Sequence, residues 1–189
     1  EQPTTLYAKW TKGDSQYKVE FYFQNITNTE YTINDNLTST MSGPTDDKTN
    51  IGTDAGQDWP ASVAKEFDGF TLNNDKLEQV TITGDGQAIV KVYFDRNTYD
   101  VKLVADTNIK SVSGAQDYVK YGATVVISAE AEQGYHFKQW VYTDGEKAGQ
   151  PVEGQTPGVS EMRFTMPAHD IHYTAQADPN ENTHYAYWD

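Results

Sequence analysis

Short runs in which apolar and polar residues alternate dominate this chain, and most contain β-branched or aromatic side chains. Runs of this kind, bounded by Gly, Asn or Asp, predict β-strands of ordinary length. In Ala88–Phe94 the even-numbered residues are all apolar, whereas the odd-numbered ones are Ile89, Lys91 and Tyr93, so one wholly apolar face is predicted. The predicted strands are Tyr17–Gln24, Glu30–Asp35, Gln79–Thr83, Gln87–Asp95, Tyr99–Ala105, Thr124–Ala131, Tyr135–Tyr142, Ser160–Thr165 and Asp170–Ala177.

Turn and helix signals are fewer. The residues of Gly84–Gly86 tolerate a positive φ, so this turn predicts a hairpin between Gln79–Thr83 and Gln87–Asp95. Only Asp58–Phe67 combines a capping aspartate, Pro60 in a first helical turn and apolar residues at helical spacing. The sequence therefore predicts a strand-dominated α+β fold with little helix.

The order of these elements occurs twice along the chain. The first stretch opens with Tyr17–Phe21 and closes with Val90–Asp95, and the second opens with Tyr99–Leu103 and closes with Ile171–Ala175. Repetition over about eighty residues predicts two tandem units of similar architecture. The join Arg96–Thr98 is too short for a flexible tether, so we expect the units to lie end to end in an elongated arrangement.

Both ends of the chain have the alternation of further strands, in Thr5–Trp10 and His184–Trp188. We therefore expect a segment of a longer array of repeats. The expected domains are 1–16, the end of a preceding repeat and linker; 17–98, the first unit; 99–178, the second unit; and 179–189, a linker or the start of a following repeat.

Composition narrows the class of protein. The 13 Tyr, 7 Phe and 4 Trp are too many aromatic residues for a disordered coil. With 14 Lys and Arg against 28 Asp and Glu the formal net charge is −14, which disfavours nucleic acid and anionic membrane surfaces as partners. The chain has 0 Cys, which excludes disulfides and thiolate chemistry and is typical of secreted bacterial proteins.

Two strings in the second stretch are specific. Gly134–Trp140 has the pattern Gly-Tyr-x-Phe-x-x-Trp, and Phe164–Pro167 is Phe-Thr-Met-Pro. With these strings the second stretch resembles the divergent form of the internalin B B-repeat, or Listeria-Bacteroides repeat, family of bacterial surface proteins. The stretch Tyr17–Asp95, with its string Val80–Gly86, resembles a longer variant of the same repeat, enlarged by the insertion Ser39–Asp58.

The resemblance implies units of β-grasp type, similar to ubiquitin-like and mucin-binding folds, on the cell surface or secreted by a bacterium. Such repeats act as stalks, spacers or adhesin modules, and the family has no catalytic residues to carry over. We therefore expect a non-catalytic, monomeric segment of a larger multidomain chain, without a cofactor. Two alternatives remain: a module that binds a host glycan or protein through the long loops Ser39–Asp58 and Thr143–Val159, and accessory repeats of a secreted glycan-active enzyme.

The sequence gives little indication of a metal site. His169 and His172 are three residues apart, and in a strand this spacing points the side chains to opposite faces. Without cysteine or an obvious third ligand, no metal site is predicted and solvated histidines are the better interpretation. Loops rich in Asn and Asp lack the calcium-loop pattern, and incidental calcium stays open.

An aromatic surface is the remaining candidate for partner binding. Alternation along Tyr135–Tyr142 places Tyr135 and Phe137 on one face and Trp140 and Tyr142 on the other. One face belongs to the core, and the other is available as an exposed platform. Trp140 and Tyr142 are therefore the predicted partner-binding residues.

Overall fold

A computed structural model describes residues 11–181 of the chain, which divide into two compact units with a boundary between Arg96 and Asn97. Unit 1 denotes residues 11–96 and unit 2 residues 97–181. Each unit has its own hydrophobic core. The strands predicted at Thr5–Trp10 and His184–Trp188 lie outside the described residues.

One mixed sheet organises unit 1. The strands are β1 (Asp14–Gln24), β2 (Tyr31–Ile33), β3 (Ser39–Pro44), β4 (Phe70–Leu72) and β5 (Ile89–Arg96), and two 3-10 helices span Asp35–Leu37 and Asn74–Lys76. The strand order is β2-β1-β5-β4, and β3 also pairs with β1. The first and last strands, β1 and β5, are parallel neighbours at the centre, with Val19 opposite Val90 and Phe21 opposite Val92.

The inner face of this sheet carries the core of unit 1. In β1 and β5 the apolar residues recur at every second position, so they all point to the same side. Phe21, Val90 and Val92 are fully buried there. Trp59 and Phe67, from the chain between β3 and β4, close the core, and the ring of Trp59 lies 5.4 Å from that of Phe21.

The helix predicted at Asp58–Phe67 is wrong, because this segment forms isolated turns. The backbone N–H of Asp58 donates to the carbonyl oxygen of Asn50 at 2.8 Å, and that of Gly52 donates to the Asp58 oxygen at 3.1 Å. These long-range bonds hold Asp58 in an extended bridge with Ile51. The Asp58 oxygen, which would accept the first hydrogen bond of a helix, accepts from Gly52, and the chain after it forms a turn in which the N–H of Val63 donates to the Pro60 oxygen at 3.0 Å.

The hairpin predicted between Gln79–Thr83 and Gln87–Asp95 is also wrong, although the turn between them forms. The N–H of Gly86 donates to the oxygen of Thr83 at 3.1 Å. Ile82, however, exchanges backbone hydrogen bonds with the chain at residues 46–47. Since β5 pairs with β1 and β4, its neighbours in the sheet come from elsewhere in the chain.

Unit 2 contains two sheets over one core. Its strands are β6 (Thr98–Ala105), β7 (Ile109–Ser113), β8 (Gln116–Lys120), β9 (Thr124–Ala131), β10 (Tyr135–Tyr142), β11 (Met162–Thr165) and β12 (Ile171–Pro179). One sheet has the order β10-β12-β6-β8 and the other β11-β9-β7. The first and last strands, β6 and β12, are again parallel neighbours, with Val101 opposite Ile171. Residues of both sheets contribute to the core.

Most predicted strands are confirmed, and the strand-dominated part of the fold prediction holds. Residues 11–181 contain no α-helix. The strands β3, β4, β7 and β8 were not predicted, because they are short and carry few apolar residues. The segment Ser39–Asp58, expected as a long loop, begins with β3, which pairs with β1 from Val19 opposite Ser39 onwards.

Candidate functional site

Three tyrosines of unit 1 lie together on the outer side of its sheet. Tyr22 of β1 is directly opposite Tyr93 of β5, and Tyr31 of β2 is opposite Gln24 at the end of β1. Outward positions alternate with the buried ones, so each tyrosine follows from the same periodicity that builds the core. All three rings are half-buried. We call Tyr22, Tyr31 and Tyr93 the tyrosine face.

The rings of the tyrosine face contact one another in defined geometries. Tyr22 and Tyr93 stack with centroids 5.1 Å apart at an interplanar angle of 29°. Tyr31 meets Tyr93 edge to face, also at 5.1 Å, with an angle of 77°. Both arrangements are favoured by the quadrupoles of the rings. The three side chains therefore form one continuous aromatic surface.

Hydrogen bonds fix two of the phenol groups. The hydroxyl of Tyr22 donates to Oε2 of Glu20 at 2.7 Å, and the hydroxyl of Tyr31 donates to Oδ1 of Asp95. Nδ2 of Asn73 donates to the second oxygen of Asp95 at 2.8 Å and orients that carboxylate. The ring positions are therefore set by a surrounding polar frame.

The same contacts perturb the acidity of the phenols. The hydrogen bond to Glu20, with burial as a smaller cause, raises the pKa of Tyr22 to about 12. Burial, followed by the hydrogen bond to Asp95, raises the pKa of Tyr31 to about 12. Both hydroxyls are therefore protonated donors throughout the physiological pH range.

Two lysines and three carboxylates surround the tyrosine face. Nζ of Lys76 lies 5.4 Å from the centroid of Tyr31, and Nζ of Lys91 lies 5.7 Å from that of Tyr22. These ammonium groups sit within the range of cation–π attraction. An open groove of about 740 Å³ runs over the rings. Its charged lining residues are Lys76, Lys91, Glu30, Asp75 and Glu78.

Glu20→Gln is expected to lower the pKa of Tyr22 from about 12 towards its ordinary value of 10.0, because the neutral amide no longer opposes ionisation of the phenol. A phenol whose pKa is raised by folding stabilises the folded protein, and this stabilisation is complete below the phenol's unfolded pKa of about 10. The stabilisation is lost as the pH rises through the folded pKa of the phenol. Titration of the tyrosine ring carbons by NMR measures the shift. Glu130→Gln, at an exposed carboxylate of unit 2, is the control, and an unaltered Tyr22 pKa in Glu20→Gln would contradict the assignment.

The predicted exposure of Trp140 is wrong, since this side chain is fully buried. A β-bulge accounts for it: the register of β10 against β12 passes from Phe137 opposite Ala177 to Gln139 opposite Gln176, so Lys138 is an extra residue. The insertion reverses the alternation, and Phe137 and Trp140 both enter the core. Trp140 is therefore not available on the surface.

Tyr142, the second predicted residue, is half-buried at an open cleft of about 490 Å³ in unit 2. Its ring lies edge to face against Tyr173 with centroids 5.5 Å apart, and Nζ of Lys147 is 5.5 Å from its centroid. Lys147 also pairs with Glu153 at 2.7 Å. The loop Thr143–Val159 thus covers part of this ring, and partner binding through Tyr142 stays a prediction.

The two histidines line the same cleft but have separate partners. Nδ1 of His172 is 2.6 Å from Oδ2 of Asp144, and Nδ1 of His169 is 2.8 Å from the backbone oxygen of Asp170. Within residues 11–181 no three His, Cys, Asp or Glu side chains are grouped as metal ligands would be. The geometry offers a polar rim for this cleft and no built coordination site.

The tyrosine face was not among the sequence-predicted sites, although its signal is present. In Ala88–Phe94 the outward positions Lys91 and Tyr93 follow directly from the alternation. Tyr22 has the same outward phase in β1. What the sequence lacks is the pairing of β1 with β5, which brings residues about seventy positions apart into contact.

Comparisons with known proteins identify one part of the chain. Residues 99–181 match the family model of the divergent InlB B-repeat domain. This confirms the resemblance predicted for the second stretch. No curated protein and no solved structure matches the chain. Among the described residues no helix has the length and apolar character needed to cross a membrane.

Proposed function

We propose, from the match of residues 99–181 to the divergent InlB B-repeat domain, that this chain is a non-catalytic repeat segment of a bacterial surface protein. In this role it is exported and serves as a spacer or adhesion module within a longer chain. The family match is the observation that carries the proposal. The acidic surface, with a formal net charge of −14, suits a soluble extracellular segment.

The topology supports treating both units as repeats of one β-grasp type. In each unit the first and last strands are parallel neighbours at the centre of a sheet, β1 with β5 and β6 with β12. This pairing is a long-range feature that two unrelated short β-units have no reason to share. Unit 1 is then a longer variant, in which turns and loops between β3 and β4 cover the sheet where a helix was expected.

The buried residues support a non-catalytic role. Among residues 11–181 the buried side chains are aliphatic or aromatic apart from Thr49, which is 4% exposed. Its hydroxyl is hydrogen-bonded to Oε1 of Gln79 at 2.9 Å. Acid–base catalysis usually places a titratable group in a desolvated pocket. The described interior buries no Asp, Glu, Lys, Arg or His, and its buried titratable groups are the phenols of Tyr17 and Tyr173, whose pKa values burial raises further from neutrality.

Antibodies against residues 11–181 test the surface assignment. Intact cells of the bacterium that encodes the protein are expected to be labelled without permeabilisation. Cells lacking the gene are the control. Labelling that appears only after the envelope is opened would contradict export to the surface.

Replacing the segment in its parent protein separates the two roles. A spacer tolerates exchange for an unrelated repeat segment of equal length, so binding of the bacterium to host cells is expected to persist. An adhesion module does not tolerate it, and binding is expected to fall. Surface expression of both forms, measured with an epitope tag, is the necessary control.

A further inference from the structure

We infer that the tyrosine face of unit 1 is a binding site for a short neutral oligosaccharide. The groove over Tyr22, Tyr31 and Tyr93 has a volume of about 740 Å³. That volume lies within the roughly 300–1,000 Å³ typical of small-molecule sites. The inference concerns unit 1 alone and does not depend on the family match, which covers residues 99–181.

Core packing does not require these rings. The apolar core of unit 1 lies on the opposite side of β1 and β5, where Phe21, Val90 and Val92 point. Their ring contacts add cross-strand stability to the sheet, but these three side chains are not among those packed against the core. A cluster of half-buried aromatic rings in mutual contact on a solvent-facing surface is a feature of binding sites.

The site is organised before any ligand arrives. The hydroxyl of Tyr22 is held by Glu20, and that of Tyr31 by Asp95, which Asn73 orients in turn. Rings fixed in this way lose little conformational entropy when a ligand packs on them. The carboxylates keep further lone pairs, because each oxygen accepts more than one hydrogen bond.

The charges select an uncharged ligand. The groove is lined by the carboxylates of Glu30, Asp75 and Glu78 and by the ammonium groups of Lys76 and Lys91, so the two signs nearly balance. A polyanion would be repelled by these carboxylates and by the formal net charge of −14. A cationic peptide would have to compete with the lysines that already occupy positions over the rings.

A neutral sugar fits each of these features. A pyranose ring has a flat face of C–H groups that packs on an aromatic ring, and its edge carries hydroxyls that both donate and accept hydrogen bonds. The carboxylates of the groove accept from such hydroxyls, and the lysines donate to them. The groove is open rather than enclosed, which suits a short chain of sugars lying across the sheet.

A glycan array followed by calorimetry tests the inference. The probes are cellotetraose, xylotetraose, mannotetraose, chitotetraose and lacto-N-tetraose, with sialyllactose and a heparin tetrasaccharide as acidic members. At least one neutral probe is expected to bind the chain. Tyr93→Ala is expected to weaken that binding by about tenfold or more, since an aromatic anchor at the centre of the site is lost. Tyr93→Phe, which keeps the ring, is expected to change it by less than about threefold.

Tyr118→Ala is the matched control. Tyr118 is an 80% exposed tyrosine of unit 2 that does not line the groove, so its removal is expected to leave sugar affinity unchanged. Amide NMR spectra of the unaltered chain provide a measurement that does not depend on whether Tyr93→Ala folds. The binding probe is expected to shift resonances of β1, β2 and β5.

Four outcomes would overturn the inference. They are the absence of binding to every neutral probe, preference for an acidic probe, resonance shifts confined to strands other than β1, β2 and β5, and self-association by sedimentation that Tyr93→Ala abolishes. The last outcome would show that a second copy of the chain covers the tyrosine face. None of these results bears on surface labelling of the bacterium, so the two proposals fail independently.

Discussion

Trp140→Ala is expected to lower the free energy of unfolding of unit 2 by about 3–5 kcal/mol, the usual cost of truncating a large aromatic side chain in a core. The indole is fully buried, and its ring lies 5.7 Å from that of Phe137. Its Nε1 donates to the backbone oxygen of Ser160 at 2.9 Å. The substitution therefore leaves a cavity and also removes the partner of a carbonyl group.

Urea unfolding followed by amide resonances of each unit measures the loss and assigns it. Ile127 reports on the core that contains Trp140, and Val92 reports on the separate core of unit 1. Trp140→Phe is expected to cost about 1–2 kcal/mol, because it keeps most of the apolar volume but loses the bond to Ser160. Tyr118→Ala, on an exposed side chain, is expected to stay within about 0.5 kcal/mol. A loss below about 1 kcal/mol for Trp140→Ala would contradict the buried position.

Trp140 also shows where strand periodicity fails. The alternation in Tyr135–Tyr142 is regular in the sequence, and it places Trp140 on the outer face. The extra residue Lys138 changes the phase within the strand, and a bulge leaves no mark that separates it from an ordinary polar position. The strand was therefore predictable, whereas the side to which its second half points was not.

The chain between β3 and β5 shows a second limit. Its conformation depends on contacts between residues that are distant in sequence, such as the backbone bond from Thr49 to Val80 at 2.8 Å. Local signals at Asp58–Phe67 and Gly84–Gly86 predicted a helix and a hairpin, and tertiary contacts decided against both. Local propensity identified the turn residues correctly but not their partners.

The outward direction of individual residues of the tyrosine face was predictable from the sequence. The outward phase of Tyr93 and Lys91 follows from the alternation in β5, as the phase of Tyr22 does in β1. Their contact requires the parallel pairing of β1 and β5, which has no local turn to signal it. The resemblance to B-repeats is confirmed by the family match over residues 99–181, but a family pattern of buried positions carries no information about an outward surface.

Gln79→Glu is expected to destabilise unit 1 by about 2–4 kcal/mol at neutral pH and to recover part of that loss as the pH falls. The side-chain amide of Gln79 serves as a substitute for a neighbouring strand. Its Oε1 accepts from the backbone N–H of Ile51 at 2.8 Å, and its Nε2 donates to the Ile51 oxygen at 2.6 Å. Ile51 is fully buried, so water cannot replace either bond.

The pH dependence follows from the group that is exchanged. A carboxylate at this position turns an acceptor towards the Ile51 oxygen, whereas its protonated form restores a donor. Burial and this contact raise the folded pKa of the introduced carboxyl above its ordinary value of about 4.3. The loss in free energy of unfolding, relative to the unaltered chain, is therefore complete above the folded pKa of the introduced carboxyl. It becomes smaller as the pH falls towards about 4.3.

Two further substitutions separate this cause from a general loss of packing. Gln79→Met removes both hydrogen-bonding groups, so it is expected to cost about 2–4 kcal/mol with no recovery at low pH. Gln16→Glu adds the same charge at an exposed position of β1 and is expected to change stability by less than about 0.5 kcal/mol. Urea unfolding of all four chains between pH 4 and pH 7, followed at Val92, measures these differences. If Gln79→Glu loses the same free energy of unfolding at pH 4 and at pH 7, its protonated carboxyl does not donate to the Ile51 oxygen. The Gln79 side chain would then stabilise unit 1 through its shape alone.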